Sequence, residues 1–145
     1  AITRLVDMGV EPFLVASSLM AVMAQRLVRR VCPHCREAYR PTAEELKEVA
    51  LTPEAVARAG NPTIYRARGC DACGGTGYRG RTGIYELLLV DDDIRQLTLK
   101  NVDSSTIKRT GVQKGMLTLL DDGARKVLAG ETTLAEVLSV TQEDI

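Results

Sequence analysis

The chain has 145 residues, enough for one ordinary domain or two small units, and its 19 Lys and Arg residues balance 19 Asp and Glu. A formal charge of zero excludes the global basic field that would draw a protein onto nucleic acid or acidic lipid. The hydrophobic share of 45% is globular, yet only 3% of residues are aromatic, a Leu, Val and Ala composition that suits helices better than sheets.

Ala1 opens the sequence without an initiator Met and already in helical periodicity (Ile2, Leu5, Val6), so a piece cut from a longer protein is expected. Ile2 to Met8 reads as the end of a helix stopped by Gly9. Pro12 suits the first turn of a longer helix to Arg30, with Phe13, Leu14, Leu19, Val22, Met23 and Leu27 at helical spacing and Arg29 and Arg30 as favourable C-terminal cations. Thr42-Ala-Glu-Glu45 is a capping-box pattern for a short helix to about Ala50, and Thr52-Pro53 opens another ending at Gly60. Thr63 to Ala67 and Ile84 to Val90 read as strands. Beyond Asp91 the pattern is helical again: to about Lys100, from Ser104 to Arg109, from Met116 to Ala129, and from a second capping box at Thr133-Leu-Ala-Glu136. No apolar run reaches transmembrane length and no signal segment is visible, so a soluble, cytoplasmic chain is expected.

All four cysteines fall in two pairs, Cys32-Pro-His-Cys35 and Cys70-Asp-Ala-Cys73. A C-x-x-C turn aims both sulfurs at one point, so two such turns supply a four-thiolate set for a structural zinc ion. The long separation between the pairs is tolerable because loop-closure entropy grows only logarithmically, by ~0.6 kcal/mol per doubling. Two disulfides, a redox C-x-x-C and iron in the same sulfur geometry are the rival readings. Disulfides fit a cytoplasmic chain poorly, a redox site needs one pair at a helix start, and spacing does not separate iron from zinc. His34, the only histidine, is read as exposed on the knuckle, with ligation in place of a cysteine as the lesser alternative.

Gly75-Thr-Gly77-Tyr-Arg-Gly80 matches the dinucleotide pattern G-x-G-x-x-G letter for letter. That fingerprint must follow a buried strand and open a helix, so that pyrophosphate meets free backbone N–H groups. Here the glycines follow a cysteine knuckle and precede a strand-like run, so Gly74, Gly75, Gly77, Gly80 and Gly83 are read as permitting positive φ and close backbone approach around the metal loop. The 145 residues contain no Gly-Lys dipeptide, hence no Walker A loop. No catalytic constellation stands out: Ser17 and Ser18 lie in a helical pattern and the acids fall mostly at cap positions. Arg26, Arg29 and Arg30 have two readings, contact with phosphate or a neighbouring subunit, or a solvated helix end.

Ile2-Thr-Arg-Leu-Val-Asp-Met-Gly, Ala24-Gln-Arg-Leu-Val-Arg-Arg-Val-Cys-Pro-His-Cys35, Gly69-Cys-Asp-Ala-Cys-Gly-Gly-Thr-Gly-Tyr-Arg-Gly-Arg-Thr-Gly-Ile-Tyr-Glu86 and Gly130-Glu-Thr-Thr-Leu-Ala-Glu-Val-Leu closely resemble the C-terminal part of the type II secretion and type IV pilus assembly ATPases. The resemblance implies a P-loop motor, assembled as a homo-hexameric ring on the cytoplasmic face of the inner membrane, that drives pseudopilus or pilus assembly. It implies that Cys32, Cys35, Cys70 and Cys73 hold Zn2+, that ATP and Mg2+ bind only in the full-length protein, and that Arg4 and Arg26 lie near a subunit boundary and its nucleotide. The nucleotide-binding motifs of that family are missing from this stretch, so the 145 residues alone are expected to be inactive and to serve ring architecture and contact with the secretion machinery. The fold class expected is mainly α with a small β and zinc-knuckle subdomain, the C-terminal fragment of a P-loop α/β ATPase. Its expected division is residues 1–31 as a helical part of the ATPase core, 32–90 as the tetracysteine subdomain with short strands, and 91–145 as a small helical bundle. The alternative is a free-standing zinc-ribbon-like module for nucleic acid or protein. Neutral charge and few stacking aromatics argue against its nucleic-acid form.

Overall fold

The structure is a computed structural model that describes residues 1–141; the last four residues of the expected 91–145 segment lie outside that range. In chain order the elements are α1 (Ile2–Asp7), α2 (Pro12–Ser18), β1 (Ala21–Val31), β2 (Glu37–Tyr39), α3 (Ala43–Glu48), α4 (Pro53–Arg58), β3 (Ile64–Arg66), β4 (Tyr78–Leu89), α5 (Asp92–Leu99), α6 (Ser104–Gln113), α7 (Leu119–Leu128) and α8 (Leu134–Thr141), with a 3-10 turn at Asp71–Cys73. Helices predominate, and the strands form two small sheets, β1 with β4 and β2 with β3.

The long helix expected from Pro12 to Arg30 does not form. α2 ends at Leu19, where ψ turns extended, and β1 takes over. The apolar spacing that suggested a helix left Phe13 68% and Met23 61% exposed. What decides the segment is a two-residue alternation in which Val22, Ala24, Arg26 and Val28 are the more buried positions, helped by β-branched Val22, Val28 and Val31. β4 begins six residues before the expected Ile84, so it takes in the last glycines of the loop. Gly83 accordingly lies in strand backbone without positive φ and makes room for the Tyr85 ring. α6 runs past Arg109 to Gln113, and α7 starts at Leu119 instead of Met116.

The chain divides into two compact units. The first joins Ala1–Ala24 with Glu86–Thr118, and its core is Ile2, Val15, Val90, Ile94 and Ile107, flanked by Leu5, Leu19 and Leu97. Asp91 caps α5 by accepting the Ile94 N–H at 3.0 Å, and Asp103 caps α6 through the Thr106 N–H at 2.9 Å. Lys114, at the end of α6, lies 2.7 Å from Asp91 and 2.5 Å from Asp93, tying that end to the start of α5.

The second unit joins Gln25–Tyr85 with the chain from Leu119 onward. Its core is Leu46, Val49, Leu51 and Ile64 packed with Ala124, Val127, Leu134 and Val137. The capping box at Thr42 forms as expected, each partner bonding the other's backbone N–H. β2 and β3 run antiparallel with Glu37 opposite Arg66, and those side chains pair at 2.7 Å.

The second capping box is half made. Thr133 accepts the Glu136 N–H at 3.1 Å, but the Glu136 carboxylate turns instead to Arg29 on β1. It accepts the Arg29 Nε at 3.0 Å, the Nη2 at 2.9 Å and the Arg29 backbone N–H at 3.0 Å. The glutamate side chain is only 7% exposed, the arginine 53%. Burial alone pushes the Glu136 carboxyl up, but hydrogen bonds from the Arg29 side chain and backbone, with the arginine charge, outweigh burial and hold it below the usual glutamate range.

A carboxyl depressed in the folded state stabilises the fold above its ordinary pKa, and that contribution disappears as pH falls through the depressed value. Glu136→Gln is therefore expected to cost ~1–2 kcal/mol near neutrality, discounted for the exposed arginine. The cost is expected to shrink as pH falls below ~4.3. Urea unfolding of both proteins across that range checks this; a pH-independent difference would mean that the carboxylate charge contributes nothing.

Candidate metal centre

Each cysteine pair is shaped by its own short turn. Arg36 donates its N–H to the Cys32 carbonyl at 3.0 Å, closing the Cys32-Pro-His-Cys35 turn. Gly75 does the same for Cys70 at 2.9 Å, closing the loop that contains the 3-10 turn. The two loops are joined directly, because the Cys32 N–H donates to the Gly77 carbonyl at 2.9 Å.

This arrangement brings all four sulfurs to within 4.8 Å of one another. Cys32 and Cys70 lie 3.9 Å apart, Cys35 and Cys73 3.9 Å, and Cys70 and Cys73 3.8 Å. A disulfide needs about 2 Å, so all four cysteines are free thiols. A tetrahedron of thiolates with ~2.3 Å metal–sulfur arms has edges of ~3.8 Å, so the geometry fits a single ion held by four sulfurs. Tetrahedral four-sulfur coordination suits zinc or iron.

The backbone is arranged to support negative sulfur. Gly69 N–H donates to Cys35 Sγ at 3.3 Å, and Cys70 and Gly77 N–H groups both donate to Cys73 Sγ at 3.2 Å. Gly69 and Gly77 are the glycines this geometry requires. Both have positive φ, and a Cβ on Gly69 would lie 2.7 Å from the Gly75 carbonyl oxygen while one on Gly77 would lie 2.6 Å from the Ala67 side chain. The glycine loop thus aims N–H groups at sulfur, the use an oxyanion would make of the same backbone in a nucleotide site.

Four thiols this close do not ionise independently. Burial pushes the Cys35 thiol up, the Gly69 N–H opposes it, and hydrogen bonds with the other three sulfurs add to it, to about 11. Cys73 feels the same burial, but the Cys70 and Gly77 N–H groups and hydrogen bonds from Cys70 and Cys35 outweigh it and bring it down to about 6. Without a cation the cluster favours negative charge on Cys73, where two N–H donors converge, and a proton on Cys35. A divalent ion removes that restriction by compensating all four thiolates.

His34 is exposed and is not a member of the four-sulfur group. The two arginines singled out in sequence are not brought into the cluster. Arg4 is exposed on α1 in the first unit; Arg26 is on β1 in the second, its Nη1 donating to the Gln25 carbonyl at 3.0 Å. Sequence reading missed Glu136, whose spacing announced only a cap, and Tyr78, which stacks under Arg29 at 4.2 Å and hydrogen-bonds Thr133 at 2.9 Å. Both act over long sequence separation, and nothing local signals them.

The family model for type II/IV secretion system proteins matches residues 1–139. Type II secretion system protein E of Pseudomonas aeruginosa is 50% identical over 144 residues, covering 99% of this chain and 28% of that protein. The type IV pilus assembly ATPase PilB of Thermus thermophilus is 48% identical over 143 residues, covering 99% of this chain and 16% of the relative. Type II secretion system protein E of Klebsiella pneumoniae is 47% identical over the whole chain and 28% of its own length. The chain therefore spans less than a third of the curated relatives it matches.

Stripping the metal is expected to free the amides of Gly69, Cys70 and Gly77, whose acceptors are the cysteine sulfurs, and to speed their hydrogen exchange by about tenfold or more. Amides buried with Val127 and Val137 change far less. Cys70→Ser reproduces the effect without chelator. Exchange at the three loop amides that is the same with and without metal would show that no ion organises this cluster.

Proposed function

The chain belongs to the type II/IV secretion system protein family, and on that footing we propose that it is the zinc-bearing C-terminal region of a secretion or pilus assembly ATPase. The observation that carries the reading is the four-sulfur tetrahedron, formed by cysteine pairs that lie within the matched residues 1–139. In the parent protein, a P-loop α/β domain outside these 145 residues binds ATP and Mg2+ and powers pseudopilus or pilus assembly from the cytoplasmic face of the inner membrane, held there by partners. Residues 1–31 complete that core, residues 32–90 carry the zinc, and residues 91–145, with α5 to α8 between Asp92 and Thr141, are the end region.

Zinc supplies charge compensation and a fixed junction, with no step in ATP hydrolysis assigned to it. Cys32, Cys35, Cys70 and Cys73 hold it, and the Gly69, Cys70 and Gly77 N–H groups orient the sulfurs. The fixed junction shapes the surface that the subunit offers to its neighbours in a hexameric ring and to the secretion machinery. Arg4 and Arg26 lie on the ring-facing parts and act on the nucleotide of an assembled neighbour. No helix of the described residues is long and apolar enough to cross a membrane, so the proposed attachment is through partner proteins.

The coding sequence on the N-terminal side of Ala1 is expected to contain a Gly-x-x-x-x-Gly-Lys-Ser/Thr loop after a strand. The parent protein is expected to hydrolyse ATP, whereas the isolated 145 residues do not. Metal analysis is expected to give close to one zinc per chain, and Arg4→Ala or Arg26→Ala to lower turnover in the assembled parent while zinc content stays unchanged. A parent with no such loop and no turnover, or hydrolysis by the isolated chain, overturns the motor reading; iron in place of zinc overturns the metal assignment alone.

A further inference from the structure

Beside the first cysteine turn, within the second unit, lies a cavity of about 260 Å³ lined by Arg30, Val31, Pro33, Arg36, Arg79, Gly130 and Glu131. Three guanidinium groups and one carboxylate share it, a local excess of two positive charges in a chain whose net charge is zero. The three arginines are not equally engaged. Arg30 reaches Glu131 at 3.4 Å, and Lys126 reaches the other oxygen of the same carboxylate at 3.5 Å. The Arg36 guanidinium carbon lies 4.0 Å from the centroid of the Tyr65 ring, and its N–H groups have no carboxylate partner among the described residues. Arg79 has no hydrogen bond or ion pair from its side chain among the described residues.

We propose that this cavity docks an acidic segment of a protein partner, one presenting two or more carboxylates to Arg30, Arg36 and Arg79. Charge complementarity and the planar bidentate donors of guanidinium suit carboxylates. All three arginines are solvent-exposed, so each contact is weak and a lone small anion gains too little to stay. Carboxylates linked on one chain add their contacts after a single association event. The cavity is concave and has Glu131 in its wall, which disfavours a flat sheet of anionic headgroups. None of the lining residues is aromatic, so the cavity offers no ring on which a nucleic-acid base could stack.

The inference deepens the partner-contact part of the proposed function and rests on it. The test uses the purified protein and a dye-labelled hexaglutamate peptide, followed by fluorescence anisotropy, so its outcome is read independently of ATP turnover. Hexaglutamate is expected to bind, and to bind several-fold more weakly as salt rises from about 50 to about 200 mM. Arg79→Glu is expected to weaken binding about tenfold, and Glu131→Gln to tighten it a few-fold by removing the one carboxylate in the wall. Arg58→Glu and Glu54→Gln, on α4 and outside the lining, serve as charge-matched controls that leave binding unchanged. Arg79 holds up no described contact, so circular dichroism of its variant should match the parent, and Arg79→Ala supplies a milder version. Absence of hexaglutamate binding, equal losses in Arg79→Glu and Arg58→Glu, or Arg79-dependent capture by phosphatidylglycerol vesicles without peptide binding would each overturn the proposal.

Discussion

The constraint on which the second unit depends is that Cys32 and Cys70, 38 residues apart in sequence, must end 3.9 Å from each other. Closing a loop of that size costs on the order of 4 kcal/mol of chain entropy. An ion bound by the four sulfurs would not have to meet that cost alone. The intervening segment supplies Leu46, Val49, Leu51 and Ile64 to the core shared with α7 and α8, and β2 pairs with β3 just inside the two cysteine pairs. The insertion is therefore a folded layer with its own hydrophobic gain, and that packing helps to hold the sulfurs near each other. This is why so long a separation between pairs is compatible with a compact site.

A second set of long-range bonds ties the cysteine loops to the C-terminal helix. Thr132 donates its hydroxyl to the Arg29 carbonyl at 2.8 Å, Val31 donates its N–H to the Glu131 carbonyl at 3.0 Å, and Tyr78 meets Thr133 at 2.9 Å. Together with the Arg29–Glu136 pair, they attach the end of β1 and the start of β4 to the segment that opens α8. Cys32 follows β1 directly, so a shift of α8 would be felt at the first sulfur of the cluster within three residues of Arg29.

The cysteine cluster was legible because its chemistry is local: two C-x-x-C turns present two sulfurs each whatever surrounds them. The cap at Thr42 was legible for the same reason, since an N-cap is decided within one turn. β1 was not. Its residues Val22, Met23 and Leu27 satisfy helical spacing, and the alternation that makes it a strand includes Ala24 and Arg26, which no hydropathy pattern marks as inward. Glu37-Ala-Tyr39 was missed because three residues carry no period, and they form a strand only because Ile64–Arg66 lies alongside. Glu136 shows the other limit: its local role as a cap partner was readable, but the contact with Arg29, 107 positions away, outcompetes it.

The arginines show why net charge was a poor guide to this surface. Arg29 is held by Glu136 and Arg66 by Glu37, so two of the cations around the cysteine loops are neutralised within a few ångströms, while Arg30 shares Glu131 with Lys126. A count of 19 against 19 then suggests a surface with nothing to offer an ion. Pairing is uneven, however: Arg36 takes an aromatic ring where its neighbours take carboxylates, and a ring satisfies the face of a guanidinium but not its N–H edge. The directed donors that result survive in a neutral molecule, because hydrogen-bonding capacity is set by geometry at each group and does not cancel with charges elsewhere on the chain.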